Sequence, residues 1–272
     1  MPSKKPKYEV LELYGRYVLG KQTLAELSEQ VGYCKRTLQR KFDDLIIEAS
    51  FPKAGHNEPI NLIADATFFG STGGVFVFRA GQKNLYWRII ETETVSEFDA
   101  GLDNLESLGY RFKSITLDGK QGILKRFKHR YPDVPIQLCQ FHQAQIIRRY
   151  LTLNPKTECG KHLKTIMRSL TDTHQDVFES LVETWAEIYH NFLSEKNDKG
   201  QYKHRKLRSA RRSLMTHMPY LFSYKKYPEL NIPNTTNSCE GSFAHWKQKI
   251  KIHRGLRKHR RNKMVHFLLK YY

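Results

Sequence analysis

The spacing of apolar positions changes character along the chain, and the changes divide it. Between residues 8 and 48 the spacing is helical. Leu24, Leu27, Val31, Leu38 and Phe42 fall on the inner side of a helix, a turn at Gly32 and a second helix, with the small Ser28 where the two cross. Pro52, Gly55 and Pro59 then mark a linker. From residue 60 the apolar runs are short and rich in β-branched and aromatic residues. Runs over 60–69, 75–79 and 85–90, parted by glycine-rich turns, predict an antiparallel meander. Val95, Phe98, Leu102, Leu105 and Leu108 return to helical spacing. A strand over 112–117, a helix over 121–131, a fifth strand over 135–142 and a helix over 143–153 follow.

From residue 154 the pattern is helical alone. Leu163, Ile166, Met167 and Leu170 form one stripe; Val177, Leu181, Trp185, Ile188 and Phe192 form another. A polar loop over 195–201 leads into a basic helix, with Arg205, Lys206, Arg208, Arg211 and Arg212 around Leu207, Leu214 and Met218. The polar cluster 234–238 breaks the chain again. The helix after it carries Glu240 in its first turn, and Lys247, Lys251 and Arg254 continue the same face. The expected organisation is a helix-turn-helix over 1–49, a linker over 50–59, the first part of a core over 60–153, an all-helical insertion over 154–228, and the rest of the core with a C-terminal helix and basic tail over 229–272.

Three antiparallel strands followed by helix, strand, helix, strand and helix resemble the RNase H-like order. The fold class expected is therefore α/β: an RNase H-like mixed sheet with an all-helical insertion, preceded by a small helix-turn-helix domain. In that order the first and fourth strands are neighbours at the sheet centre. Asp65 on the first and Asp118 at the end of the fourth would then meet.

Charge narrows the partner. The 272 residues carry a formal net charge of +19, an excess that favours a polyanion, nucleic acid before a membrane surface. No apolar run approaches the ~20 residues of a spanning helix, and no secretory pattern follows Met1. Cys34, Cys139, Cys159 and Cys239 are too scattered for a disulfide scaffold, so a reduced cytoplasmic setting is expected. The second helix of the N-terminal pair presents Lys35, Arg36, Gln39, Arg40 and Lys41, a set suited to a major groove; a plain helical hairpin with a solvated basic face is the alternative. The run over 247–261 is the densest in basic residues and reads as phosphate-binding.

Phosphodiester chemistry with two metal ions needs carboxylates converging on ions roughly 3.5–4 Å apart. Asp65, Asp118 and Glu240 suit that role, and their oxygens suit Mg²⁺ or Mn²⁺. An Asp at a strand end also serves simply to cap a turn, so each acid alone is a weak signal. Cys139, His142, Cys159 and His162 have the formal count of a zinc site, but the second pair lies in the helical insertion and zinc is disfavoured. Trp246 reads as a core aromatic before it reads as a platform for an extruded base.

Four segments carry a family resemblance: Asp65-Ala66-Thr67-Phe68; Leu117-Asp118-Gly119-Lys120-Gln121-Gly122-Ile123; Gln137-Leu138-Cys139-Gln140-Phe141-His142; and Thr235-Thr236-Asn237-Ser238-Cys239-Glu240-Gly241. Over 60–260 the chain resembles DDE transposases of the bacterial insertion-sequence and Mutator-like group. The resemblance implies metal-dependent cleavage at transposon ends and strand transfer into target DNA, with Asp65, Asp118 and Glu240 as metal ligands. It further implies that His142 lies near the scissile phosphate with Cys139 beside it, and that Lys247 contacts DNA. Terminal inverted repeats and target DNA are the implied partners, a dimer or higher assembly on DNA the implied form, and the bacterial nucleoid the implied location. The chain departs from the family in lacking a four-cysteine zinc ribbon ahead of the helix-turn-helix. A nuclease or resolvase of the same fold that does not join strands, and a non-catalytic helix-turn-helix protein, are the alternatives.

Overall fold

The computed structural model describes residues 9–55, 58–70, 73–253 and 255–271. Its first three helices are α1 (Val10–Val18), α2 (Leu24–Val31) and α3 (Lys35–Asp44). A reciprocal pair opens α2: the Thr23 hydroxyl accepts from Glu26 N, and the Glu26 carboxylate accepts from Thr23 N. Gly32, at φ 68°, closes it in the left-handed region. Ser28 Oγ donates to Tyr33 O at 2.7 Å across that turn. Leu27, Val31, Leu38 and Phe42 are buried, as their spacing predicts.

Five strands form one mixed sheet: β1 (Ile60–Phe68), β2 (Gly74–Ala80), β3 (Lys83–Ile90), β4 (Phe112–Leu117) and β5 (Ile136–Leu138). Their order is β3-β2-β1-β4-β5. The first three are antiparallel, β4 runs parallel to β1, and β5 parallel to β4. The two-residue period of a strand sends neighbours to opposite faces. Phe76 and Phe78 join one apolar cluster with α4 (Val95–Ser107), α5 (Gln121–Arg130) and the later helices. Val75 and Val77 join the other, with α1 to α3 and the two C-terminal helices. Ile63 belongs to this second face, and Asp65 follows it on the same side.

After β5 come α6 (Gln140–Leu151), α7 (Glu158–Arg168), α8 (Gln175–Ile188), α9 (His190–Ser194), α10 (Arg205–Leu221) and α11 (Ser223–Lys226), then α12 (Asn237–Ile252) and α13 (Lys258–Tyr271).

Three sequence expectations are corrected. The fifth strand stops at Leu138. Cys139 N donates to Leu117 O at 2.8 Å, Gln140 N to Asn234 O at 3.0 Å, and Gln143 N to Cys139 O at 3.0 Å, so the chain is already helical at Gln140. His142 therefore sits in a first helical turn, not on a strand. In α8 the buried face is Phe178, Val182 and Trp185, while Val177, Leu181 and Ile188 are exposed. The basic run near the C-terminus is not wholly a phosphate surface. Arg260 makes a bidentate pair with Asp43, at 2.8 and 2.6 Å, and Lys263 caps α3 through Phe42 O and Asp43 O. Lys249 is buried and donates to Leu19 O at 2.7 Å. These cations fasten α12 and α13 to the N-terminal helices, because buried backbone carbonyls need donors.

Candidate metal centre

Asp65 stands within β1, and the other two side chains of the centre come from the first turns of helices. Register pairs Ile63 of β1 with Thr116 of β4. Beyond that pair the ladder ends, β4 continues against β5 alone, and Leu117 pairs with Leu138. The parting of parallel strands at their C-terminal ends opens a crevice. Asp65 and Asp118 lie at its rim, each two residues past the last pair. On the far side α6 and α12 both begin here. Thr236 N donates to Cys139 Sγ at 3.2 Å, and Asn234 Nδ2 to Gln140 Oε1 at 3.1 Å, so the two helix starts are stitched together.

Asp65, His142 and Glu240 converge: one donor atom from each lies within 4.8 Å of the others. His142 Nε2 is 3.0 Å from Glu240 Oε1. Asp65 is buried; its Oδ1 accepts from Ala66 N at 2.8 Å, and among the described residues its buried Oδ2 accepts no hydrogen bond of good geometry, the Thr236 side chain being its polar neighbour. An unpartnered carboxylate oxygen inside a protein is costly. Burial pushes the Asp65 carboxyl up to about 7, although the His142 charge opposes the shift. Burial alone would lower His142, but its hydrogen bond to Cys139 and the charge of Cys139, Asp65 and Asp118 raise it to about 9. Cys139 answers in the opposite sense: burial pushes its thiol up, and the His142 contact outweighs this and leaves it below the usual thiol value. Two carboxylates and an imidazole around an unsatisfied oxygen make a site able to hold a metal ion. Such a donor set accepts several divalent ions, so it leaves the ion's identity open.

Asp118 stands outside this three-donor group. Its Oδ1 accepts from Lys120 N at 3.1 Å, and its charge raises the neighbouring Glu93 and His142. It opens instead into a cleft of about 570 Å³, lined also by His142, Lys120, Arg149, Tyr150 and His217. One wall of this cleft comes from α10. His217 is buried there, with Nδ1 2.7 Å from Gln143 Oε1 and Nε2 2.9 Å from Gln121 Nε2.

Glu240 is held from behind by Arg79 on β2. Arg79 is 2% exposed, and among the described residues no carboxylate pairs with it. Its guanidinium takes Asn84 Oδ1 in a fork at 2.9 and 2.6 Å, donates to Ser242 Oγ at 2.9 Å and donates to Ser238 O. Asn84 donates in turn to Leu269 O at 3.1 Å. The first turn of α12 is thus gripped on one side by β2 and on the other by the Cys139 thiol.

Among residues singled out by sequence, Lys35, Arg36 and Arg40 are exposed on α3, and Gln39 is half-buried with a 3.4 Å contact to Asp43. Lys247 and Lys251 are exposed on α12; Arg254 falls outside the described residues. Trp246 is fully buried beside Phe243. The two Cys-x-x-His pairs do not converge. Cys159 is buried at the start of α7, while His162 is exposed and edge-on to Tyr189. Glu93, Arg79 and His217 were missed, since none has a periodic or motif signal in sequence. Among the described residues no helix is long and apolar enough to cross a membrane. No family model matches the chain, and no curated protein matches it.

Proposed function

We propose that the protein is a metal-dependent DNA strand-cleaving and strand-joining enzyme, a transposase of the DDE kind. The observation that carries this reading is the convergence of Asp65, His142 and Glu240 beside a cleft that Asp118 also enters. The sheet order, with β1 and β4 adjacent and acids at their parting ends, is the order the RNase H-like resemblance implies. The helices between α6 and α12 would correspond to the insertion of that family. The charge of +19 supports a nucleic-acid substrate.

Asp65 and Glu240 would hold Mg²⁺ or Mn²⁺, with Asp118 reaching it from the cleft side. When bound, such an ion polarises a phosphoryl oxygen and lowers the pKa of an attacking water. The chain's own part is positional. Asp65 offers a desolvated oxygen, and Arg79 fixes the turn that carries Glu240. His142 holds a proton at Nε2 against Glu240 and would present it to a bound phosphate oxygen. The exposed cations of α3, with Lys247 and Lys251, would bind backbone phosphates.

A supercoiled plasmid carrying candidate element ends tests the reading. Nicking or cleavage dependent on Mg²⁺ or Mn²⁺, abolished by Glu240→Gln, is expected. Joining of pre-cleaved ends to target DNA separates a transposase from a nuclease; cleavage without joined product would favour the nuclease. Activity that survives Glu240→Gln would sink the catalytic reading.

A further inference from the structure

The helical insertion holds a second cavity, distinct from the metal centre. It encloses about 560 Å³, within the roughly 300–1,000 Å³ range of ligand sites. Its walls are α10, α9 and the turn before α10, and among the described residues no carboxylate lines it. Three arginines do: Arg208, Arg211 and Arg212. Their spacing places them on neighbouring parts of one helix surface.

The arginines differ in how they are held. Arg208 is fixed: its guanidinium carbon lies 3.7 Å from the centre of the Tyr202 ring, and its Nη1 donates to Leu193 O at 3.3 Å. Lys196 Nζ, 5.4 Å from the same ring, adds charge. Arg211 and Arg212 are exposed, and among the described residues neither has an acid within ion-pair distance. Some other basic side chains of the insertion do face acids. Lys203 and His204 face Glu195 at 3.5 Å each, and Lys161 faces Glu158 at 2.6 Å. Acids are thus available in this part of the chain and are placed away from the pocket. Like charges at helical spacing repel, so the arrangement is stabilised by an anion with more than one oxygen. Guanidinium forks match the oxygens of a phosphodiester.

We infer that the arginine pocket of the insertion is a second phosphate-binding site, occupied by the backbone of the same DNA on which the metal centre acts. This rests on the reading above that the substrate is DNA. The link is α10 itself. Arg211 and Arg212 line the pocket, while Ser213 and His217 line the metal-centre cleft. One helix therefore touches both places, and a duplex gripped at the pocket sets the phosphate offered to the cleft.

The test uses the full chain in EDTA with a labelled duplex of random sequence, its affinity followed against salt. The double variant Arg211→Ala with Arg212→Ala is expected to bind about tenfold or more weaker. Its log–log salt slope should be smaller by about 2, one unit for each lost phosphate contact. Lys161→Ala with Lys199→Ala removes the same charge from the insertion outside the pocket and should change affinity by less than about threefold. Wild-type affinity and slope in the arginine variant, or equal losses in both variants, overturn the inference while leaving DNA binding intact. Saturable binding of a nucleoside monophosphate at the pocket, with unchanged DNA affinity, overturns it in favour of a small-molecule site. No DNA binding by the wild-type chain would bring down the substrate reading as well.

Discussion

His142 Nε2 and Glu240 Oε1 lie 3.0 Å apart, although their residues come from the starts of two helices, α6 and α12, separated in sequence by the helices α7 to α11. The pair stands 4.8 Å or less from a donor atom of the buried Asp65. Asp65, His142 and Glu240 would hold an ion there in place of the proton that the pair shares. Removing one member should therefore weaken the ion more than it weakens the fold. Asp65→Asn and Glu240→Gln should each lower Mn²⁺ affinity by at least about tenfold in calorimetric titration. An unchanged affinity in both would show that the ion, if any, binds elsewhere.

The protonation of the centre sets a pH signature for the metal-free protein. Asp65 is raised from 3.8 to about 7 in the fold, so its contribution is complete below 3.8 and lost as pH climbs through 7. His142 is raised from 6.5 to about 9, so its contribution is complete below 6.5 and lost through 9. Both act in one direction, and melting temperature in EDTA should fall between pH 6 and pH 9. Asp65→Asn should flatten the slope below 7, and His142→Gln the slope between 6.5 and 9. Metal affinity should rise over the same interval, because binding releases the protons. A melting temperature that rises toward pH 9 would contradict the assignment.

Arg79 makes a separate case. Replacing it by Ala leaves Asn84 Oδ1, Ser242 Oγ and Ser238 O without its donors. A loss of about 2–4 kcal/mol is expected in denaturant unfolding, as for buried hydrogen bonds to a charged group. Below the melting transition, Mn²⁺ affinity should also fall, since the turn bearing Glu240 loses its grip. Arg79→Lys keeps the charge and loses the fork, and should recover only part of either quantity.

Gly119 and His217 offer a test of how the insertion meets the sheet. A Cβ at Gly119 would stand 2.8 Å from His217 Cε1. Gly119→Ala should displace either the ring or the Asp118 turn, and so reduce metal-dependent cleavage by about tenfold. Adding His217→Ala should recover much of that loss if the clash is the cause, and none of it if the ring itself is required. The two outcomes are separated by a double-mutant comparison.

Much of the sheet was legible because its signals are local. Val75 to Phe78 alternate between two buried clusters, and β4 begins and ends where its pattern predicts. Asp65 and Glu240, both singled out in sequence, come together in the structure with His142, while Asp118 lines the adjoining cleft. What was hidden depends on pairing across the chain. The helix start at Gln140 is fixed by Asn234, and nothing near Cys139 announces it. The inner face of α8 was misread because Val177 and Leu181 are as apolar as Phe178 and Val182, and periodicity alone does not choose between adjoining faces. The cations of α13 looked free because Asp43, the partner of Arg260, lies in α3. His217 reaches the cleft from a helix whose sequence advertises only its basic side.

The stitching of α6 to α12 has a temporal consequence. Until Asn234 and Thr236 have left the ribosome, Gln140 N and the Cys139 thiol lack the partners that pin them, and Glu240 follows only then. A nascent chain can complete its five-stranded sheet and still be unable to coordinate an ion. Such a chain completes its candidate metal centre only after its sheet has been made.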